Sequence, residues 1–267
     1  MPEGPGRLTK ATLTPNPSPC AQGEGSRALG RTGRGVGGEG SSPRAQPVPN
    51  PTPDSRPWLL AGILLLVLGF ALGAFVYRDR VVPGELDLLR WLHQPASETL
   101  DRLAWWASRL GDAWTGLLAA TILSVLWCAW RGRPDLALFL ALASASRVLN
   151  TPIKWLFDSA RPPLELHAVI EVADGLGYPS GHTSGAVLVF GAILLAVPLT
   201  LRLPAARWAV RLVCLTLMLL IPWSRMRLGV HWPSDVAGGY LFGWGILALL
   251  WALLPWVSAR LQRRDAR

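Results

Sequence analysis

Trp58 to Val76 runs 19 residues without a charged side chain. At about 1.5 Å per helical residue, such a run nearly crosses a hydrocarbon layer of about 30 Å. Five more apolar runs follow, at about 113–130, 135–157, 183–201, 208–223 and 236–257. Trp58, Trp130, Trp208, Trp223 and Trp256 stand at their edges, as aromatic side chains do at a membrane–water boundary. The pattern predicts an all-α protein, a bundle of six transmembrane helices.

Charge is scarce and unevenly placed. Only 16% of residues are charged and 51% are hydrophobic, against about 25% charged in an ordinary soluble domain. That excludes a single soluble globule. Residues 1–57 differ from the rest: eleven prolines and ten glycines, with few large apolar side chains, predict a disordered head. The domain reading is a 1–57 head, a 58–257 six-span domain and a basic 258–267 tail.

The net charge of +9 is carried almost wholly by arginine. Arg131 and Arg133 lie between spans two and three, and Arg202, Arg207 and Arg211 between four and five. Arg260, Arg263, Arg264 and Arg267 follow span six. Six spans place both termini on one side, so these arginines mark the cytoplasmic face. The basic excess is topological, and a nucleic-acid partner is not expected, since no arginines cluster with stacking aromatics in a soluble domain. Cys20, Cys128 and Cys214 are too scattered for a disulfide framework or a zinc site.

The connections on the opposite face are 77–112, about 158–182 and 224–235. In the first, Leu86, Leu89, Leu92, Leu100, Leu103 and Trp106 recur at helical spacing among mixed charges, which predicts helices lying in the interface. The other two, with the span ends beside them, hold three polar clusters. Lys154 precedes Arg161-Pro162 by seven positions, Pro179-Ser180-Gly181-His182 opens span four, and Ser224-Arg225 leads to His231 and Asp235. Chain topology brings all three to one membrane face.

Each cluster has a chemical reading and a plainer one. Lys154 can reach an anion, or can snorkel to the interface from its span end. Arg161 can bind phosphate or a lipid headgroup. The start of span four offers unpaired N–H groups that suit an oxyanion. Ser180 can add a hydroxyl and Gly181 a close backbone approach, though Ser180 also suits a simple N-cap. His231 and Asp235 are four apart, so Asp235 can hold Nδ1–H of His231 and leave the Nε2 lone pair facing outward, as an oriented nucleophile or as a plain interfacial pair. Arg225 can fork onto two phosphate oxygens. Together Lys154, Arg161 and Arg225 bring about three positive charges to one face, an arrangement that favours a phosphate dianion as guest. HExxH and acidic magnesium clusters are absent from the sequence. Asn150, one turn before Lys154, reads as a helix–helix hydrogen-bonding residue, and His93 and His167 read as surface residues.

The three clusters resemble the signature of the phosphatidic acid phosphatase type 2 (PAP2) superfamily, which includes vanadium haloperoxidases: Lys-x6-Arg-Pro at 154–162, Pro-Ser-Gly-His at 179–182 and Ser-Arg-x5-His-x3-Asp at 224–235. The resemblance spans about 58–257 and implies a PAP2-type bundle. It implies catalytic roles for three residues: His231 as nucleophile forming a phosphohistidine, Asp235 as its orienter, and His182 as the acid that then activates water. Lys154, Arg161, Ser180, Gly181 and Arg225 would bind phosphate. It implies no metal or organic cofactor.

The leading expectation is an integral membrane lipid phosphatase acting on a phosphomonoester or diphosphate, of the phosphatidylglycerophosphate, phosphatidate, diacylglycerol diphosphate or undecaprenyl diphosphate class. Its partners would be such a lipid and the bilayer. The six-span form resembles bacterial members, which implies the inner membrane, cytoplasmic termini and a periplasmic or exterior site. Three alternatives stay open: a lipid phosphotransferase with an acceptor other than water, a phospholipid-binding or flipping protein, and a vanadate-dependent peroxidase.

Overall fold

The structure is a computed structural model that describes residues 54–77, 81–94, 96–166 and 175–265. Of the 1–57 head read as disordered, residues 1–53 fall outside the described residues, as does His167, read as a surface residue, while residues 55–57 are helical.

Every element among the described residues is helical. They run α1 Ser55–Val76, α2 Glu85–Leu92, α3 Glu98–Leu110, α4 Gly116–Trp130, α5 Pro134–Ala145, α6 Asn150–Phe157, α7 Gly181–Ala186, α8 Ala192–Thr200, α9 Pro204–Arg227 and α10 Pro233–Asp265. A 3₁₀ turn, Ser146–Leu149, joins α5 to α6, and a π-helical turn, Val187–Gly191, joins α7 to α8. Among the described residues five stretches are long and apolar enough to cross a membrane: Ser55–Val76, Pro134–Phe157, Gly181–Thr200, Pro204–Arg227 and Pro233–Arg263.

The expected second span is shorter than its apolar run. α4 has 15 residues, about 22 Å at 1.5 Å each. Residues 113–115 are diverted because the Asp112 carboxylate accepts Trp114 N–H at 2.9 Å and Thr115 N–H at 3.2 Å, folding them into a turn that competes with helix. At the other extreme α1 begins before Trp58, because Asp54 caps it by accepting Arg56 N–H. The 3₁₀ turn in the third span also has local causes. Ser146 Oγ donates to Leu142 O, Arg147 Nε donates to Ser144 O, and Pro152 has no N–H to return to the preceding turn.

Small residues let the helices meet. α1 lies along α10 with Gly62, Gly69 and Gly73 buried. A Cβ on Gly62 would stand 2.7 Å from Leu249 Cδ2, and one on Gly245 of α10 would stand 2.8 Å from Leu66 Cδ2. Such seams supply packing where lipid tails remove the hydrophobic drive between helices. α5, α8 and α10 close on Leu136, Phe139, Leu140, Ala192, Leu247 and Trp251.

Burial is distributed as lipid solvent requires. Leu60, Leu123, Leu212 and Leu219 are 67–69% exposed, whereas Arg225, Arg227 and His231 are 2–3% exposed. Outward leucines and inward charges suit a molecule surrounded by hydrocarbon, and the protein is an integral membrane protein. α2 and α3, expected at the interface, bury Leu89, Ala104 and Ala107 and leave Trp91 and Trp106 outside.

Candidate active site

α9 ends in a turn that delivers the third cluster. Gly229 takes φ 70°, Leu228 N–H returns to Ser224 O, and Val230 N–H returns to Arg225 O. Left-handed glycine is the usual device for closing a helix this way. The chain reaches His231 and Trp232 and re-enters helix at Pro233. Asp235, in the first turn of α10, reaches back: Oδ2 accepts Trp232 N–H at 3.0 Å and lies 2.9 Å from His231 Nδ1. A carboxylate only accepts, so the Nδ1 proton lies on this bond and Nε2 keeps its lone pair.

The second cluster docks on the same turn. Ser180 caps α7, accepts Thr183 N–H on its hydroxyl, and donates its own N–H to Asp235 O at 2.9 Å. Tyr178, fully buried, donates its hydroxyl to Gly69 O and packs edge-on to Phe157 and Phe242. His182 sits in the first turn of α7 against Gly111 at the end of α3, where a Cβ would stand 3.1 Å from His182 Cδ2. Asn150 Oδ1 accepts Ser184 Oγ–H, and its Nδ2 is so near Gly181 that a Cβ there would stand at 3.0 Å. It thus makes the interhelical hydrogen bond expected of it.

The first cluster closes the ring. α6 ends at Asp158, in a left-handed conformation with φ 42°. Lys154 Nζ donates to Leu176 O at 2.5 Å and Gly177 O at 2.8 Å. Arg161 donates Nε–H to Gly175 O and Nη1–H to Val230 O at 2.7 Å, and Nη1 lies 3.3 Å from His231 Nε2. Gly177 admits no side chain: a Cβ would meet Asp235 Oδ2 at 2.9 Å and Ala160 O at 3.2 Å. Arg225, on α9, donates from Nη1 to Ser108 Oγ of α3. The three clusters, distant in sequence, therefore meet at one end of the bundle.

The surroundings set the charge of His231. Burial, then the positive charges of Lys154, Arg161 and Arg225, with His182 a smaller influence, hold its pKa well below the ordinary histidine value. The ring is neutral. Burial first, and the neighbouring cations second, disfavour a charged ring, so its contact with Asp235 is a hydrogen bond from Nδ1. A neutral imidazole with one nitrogen held and the other facing guanidinium and ammonium groups can add to an electrophile bearing negative oxygens. Among the described residues no three His, Cys, Asp or Glu side chains gather as metal ligands.

Residues from the first outer connection also support the site without a motif to announce them. Ser108 meets Arg225, Asp101 accepts Arg227 Nε–H at 2.8 Å, and Glu85 accepts Ser234 N–H. A signal existed for Glu85: it shares a helical face with the buried Leu89, an acid on an apolar stripe. His93, expected at the surface, is half-buried, with Nδ1 2.6 Å from Leu89 O at the end of α2. Leu89 O, which also accepts the backbone N–H of His93, holds the ring against the end of α2. An apolar cavity of about 390 Å³, lined by Ala120, Leu123, Trp127, Leu140, Val197 and Val210, includes none of the site residues.

Residues 134–259 match the family model of the PAP2 superfamily, a stretch that contains all three clusters. The fold is similar to the crystal structure of a transmembrane PAP2 type phosphatidylglycerolphosphate phosphatase from Bacillus subtilis, with TM-score 0.62 and 22% identity over 75% of this chain and 96% of that one. LpxE from Aquifex aeolicus aligns with TM-score 0.45 and 22% identity over 63% of this chain and 96% of that one. No curated protein sequence matches the chain significantly.

Proposed function

We propose that this chain, whose residues 134–259 match the family model of the PAP2 superfamily, is a membrane lipid phosphatase of that kind that works through a phosphohistidine on His231. The observation that carries the reading is the imidazole itself: Nδ1 lies 2.9 Å from Asp235 Oδ2, and Nε2 lies 3.3 Å from Arg161 Nη1. A protein that only gripped phosphate would need the cations but not an oriented nitrogen base.

In the first half-reaction the Nε2 lone pair of His231 bonds to phosphorus while the bond to the lipid oxygen breaks. His182 gives that oxygen a proton. Asp235 stabilises the ring as it becomes positive. Lys154, Arg161, Arg225, the Ser180 hydroxyl and the Gly181 N–H share the charge on the phosphoryl oxygens, where most catalysis of phosphoryl transfer resides. In the second half His182 takes a proton from water, the oxygen attacks phosphorus, and the P–N bond returns its electrons to Nε2. The cycle uses protein groups throughout and requires no metal.

The substrate class is a lipid phosphomonoester or diphosphate, with phosphatidylglycerophosphate, phosphatidate and undecaprenyl diphosphate the first to test. The positive-inside distribution of arginines supports cytoplasmic termini and a site on the exterior face.

The test is phosphate release by the purified protein from a panel of such lipids, with His231→Ala as the blank. Release by the wild-type protein and none by the variant is expected. Retention of activity within about tenfold would refute the nucleophile, whose loss ordinarily costs far more.

A further inference from the structure

The turn that leads into α2 ends on a buried acid that no motif includes. Val82-Pro83-Gly84-Glu85 forms a tight turn: Gly84 adopts φ 86° and ψ −9°, and Glu85 N–H donates to Val82 O at 3.1 Å. Proline then glycine at the two central positions presets this type II geometry. Glu85 is 6% exposed. Its Oε2 accepts Val82 N–H at 3.0 Å, and its Oε1 accepts the backbone N–H of Ser234. One carboxylate thus ties its own turn to the start of α10, about 150 residues later in the chain.

What it holds there is decisive for His231. α10 begins at Pro233, which has no N–H, so the first helical donor without a partner in its own helix is Ser234 N–H. The next residue is Asp235, whose Oδ2 contacts both Trp232 N–H and His231 Nδ1. A shift of the Ser234 peptide turns Asp235 away from one of these two. The cationic groups stand on other elements: Lys154 on α6, Arg161 in the loop beyond it and Arg225 on α9. Their grip on phosphate does not pass through Ser234.

We propose that Glu85 is a positioning residue for the His231–Asp235 pair, acting through the backbone N–H of Ser234 from the first outer connection. The kinetic part of this inference rests on the phosphatase reading; the structural part does not. Removing the acceptor lets the first turn of α10 fray and lowers the fraction of time His231 is aimed, while lipid binding persists.

The experiment uses the full chain in detergent and two readouts. Hydrogen exchange of the amides at 234–236 should accelerate at least about tenfold in Glu85→Ala relative to wild type, with exchange in α5 unchanged. Steady-state kinetics should show kcat down about tenfold or more and KM within about threefold. Glu85→Gln retains a carbonyl that can accept Ser234 N–H but turns its NH2 towards Val82 N–H, so it should recover part of the kcat that Glu85→Asp loses. Glu85→Asp keeps the charge but falls one methylene short of Ser234, so it should share the loss, and it serves if the alanine variant fails to fold. Unchanged exchange at 234–236 in both Glu85→Ala and Glu85→Asp overturns the proposal, whatever the activity. So does a glutamine variant as slow as the aspartate one, or a loss lying in KM alone. A wild-type protein inactive on every lipid, with exchange responding as described, instead sinks the phosphatase reading and leaves Glu85 as the clamp on α10.

Discussion

Arg161 Nη1 stands 3.3 Å from His231 Nε2 while donating to Val230 O at 2.7 Å. The guanidinium is anchored on the backbone beside His231 and reaches over Nε2, the nitrogen proposed to attack. A phosphoryl group approaching Nε2 therefore meets a fixed donor at the place where its oxygens gain charge.

Arg161→Ala should lower kcat by about 10²–10³, the usual cost of one preorganised donor at a developing oxyanion. Arg161→Lys should recover only part of this, since ammonium keeps the charge but cannot anchor on Val230 O and serve the oxyanion with the same planar fork. Steady-state hydrolysis in mixed micelles checks both, and a lysine variant equal to wild type would show that charge alone suffices.

Asp235→Asn should cost about 10³–10⁴ in kcat, because an amide can present N–H to His231 Nδ1 and drive the proton onto Nε2, the atom that must be bare. The side chain is nearly the same shape, so the unfolding temperature should fall much less than in Asp235→Ala. Rates and thermal melts measured on one preparation separate tautomer from fold.

The pH profile follows from His231. Its pKa is depressed by burial and by Lys154, Arg161 and Arg225, so the base stays unprotonated below the ordinary histidine value of about 6.5. The acid limb of kcat/KM assigned to His231 should therefore lie below about 6.5, and Lys154→Met, which removes a neighbouring cation, should move it upward. The sign for stability agrees. Below about 6.5 the unfolded chain takes up a proton that the folded site refuses, so this contribution is full above that pH and is lost as pH falls towards the folded pKa. Profiles of both proteins with one soluble short-chain substrate test the shift; a downward move in the variant contradicts it.

Gly177→Ala should reduce stability by about 1–3 kcal/mol and activity with it, because the new Cβ collides with Asp235 Oδ2 at 2.9 Å and Ala160 O at 3.2 Å. Gly175→Ala should leave Asp235 undisturbed, since no atom of the described residues lies within 4 Å of its Cβ position, although its φ of 77° adds local strain. Comparing thermal melts and kcat of the two variants distinguishes a collision at Asp235 from backbone strain.

The apolar runs, the edge tryptophans and the arginine distribution could be read directly, because lipid imposes length and polarity on each helix separately. The clustering of Lys154, Arg161, Ser180, His182, Arg225, His231 and Asp235 at one end was also legible, since spans that traverse must return. Local chemistry blurred the boundaries: Asp112 diverted the start of α4 and Asp54 advanced the start of α1. No period in the sequence marks a single carboxylate that competes with the backbone.

The sequence alone determined the all-helical character, the arrangement of polar clusters and the chemistry they can perform, because these depend on residue type and spacing along one chain. Only the tertiary structure decided which partner each group meets. That Ser108 receives Arg225, that Glu85 holds Ser234, and that Gly177 must lack a side chain beside Asp235 are matters of approach between segments 58–149 positions apart. Such contacts arise from packing, and packing is a property of the assembled bundle, not of any helix within it.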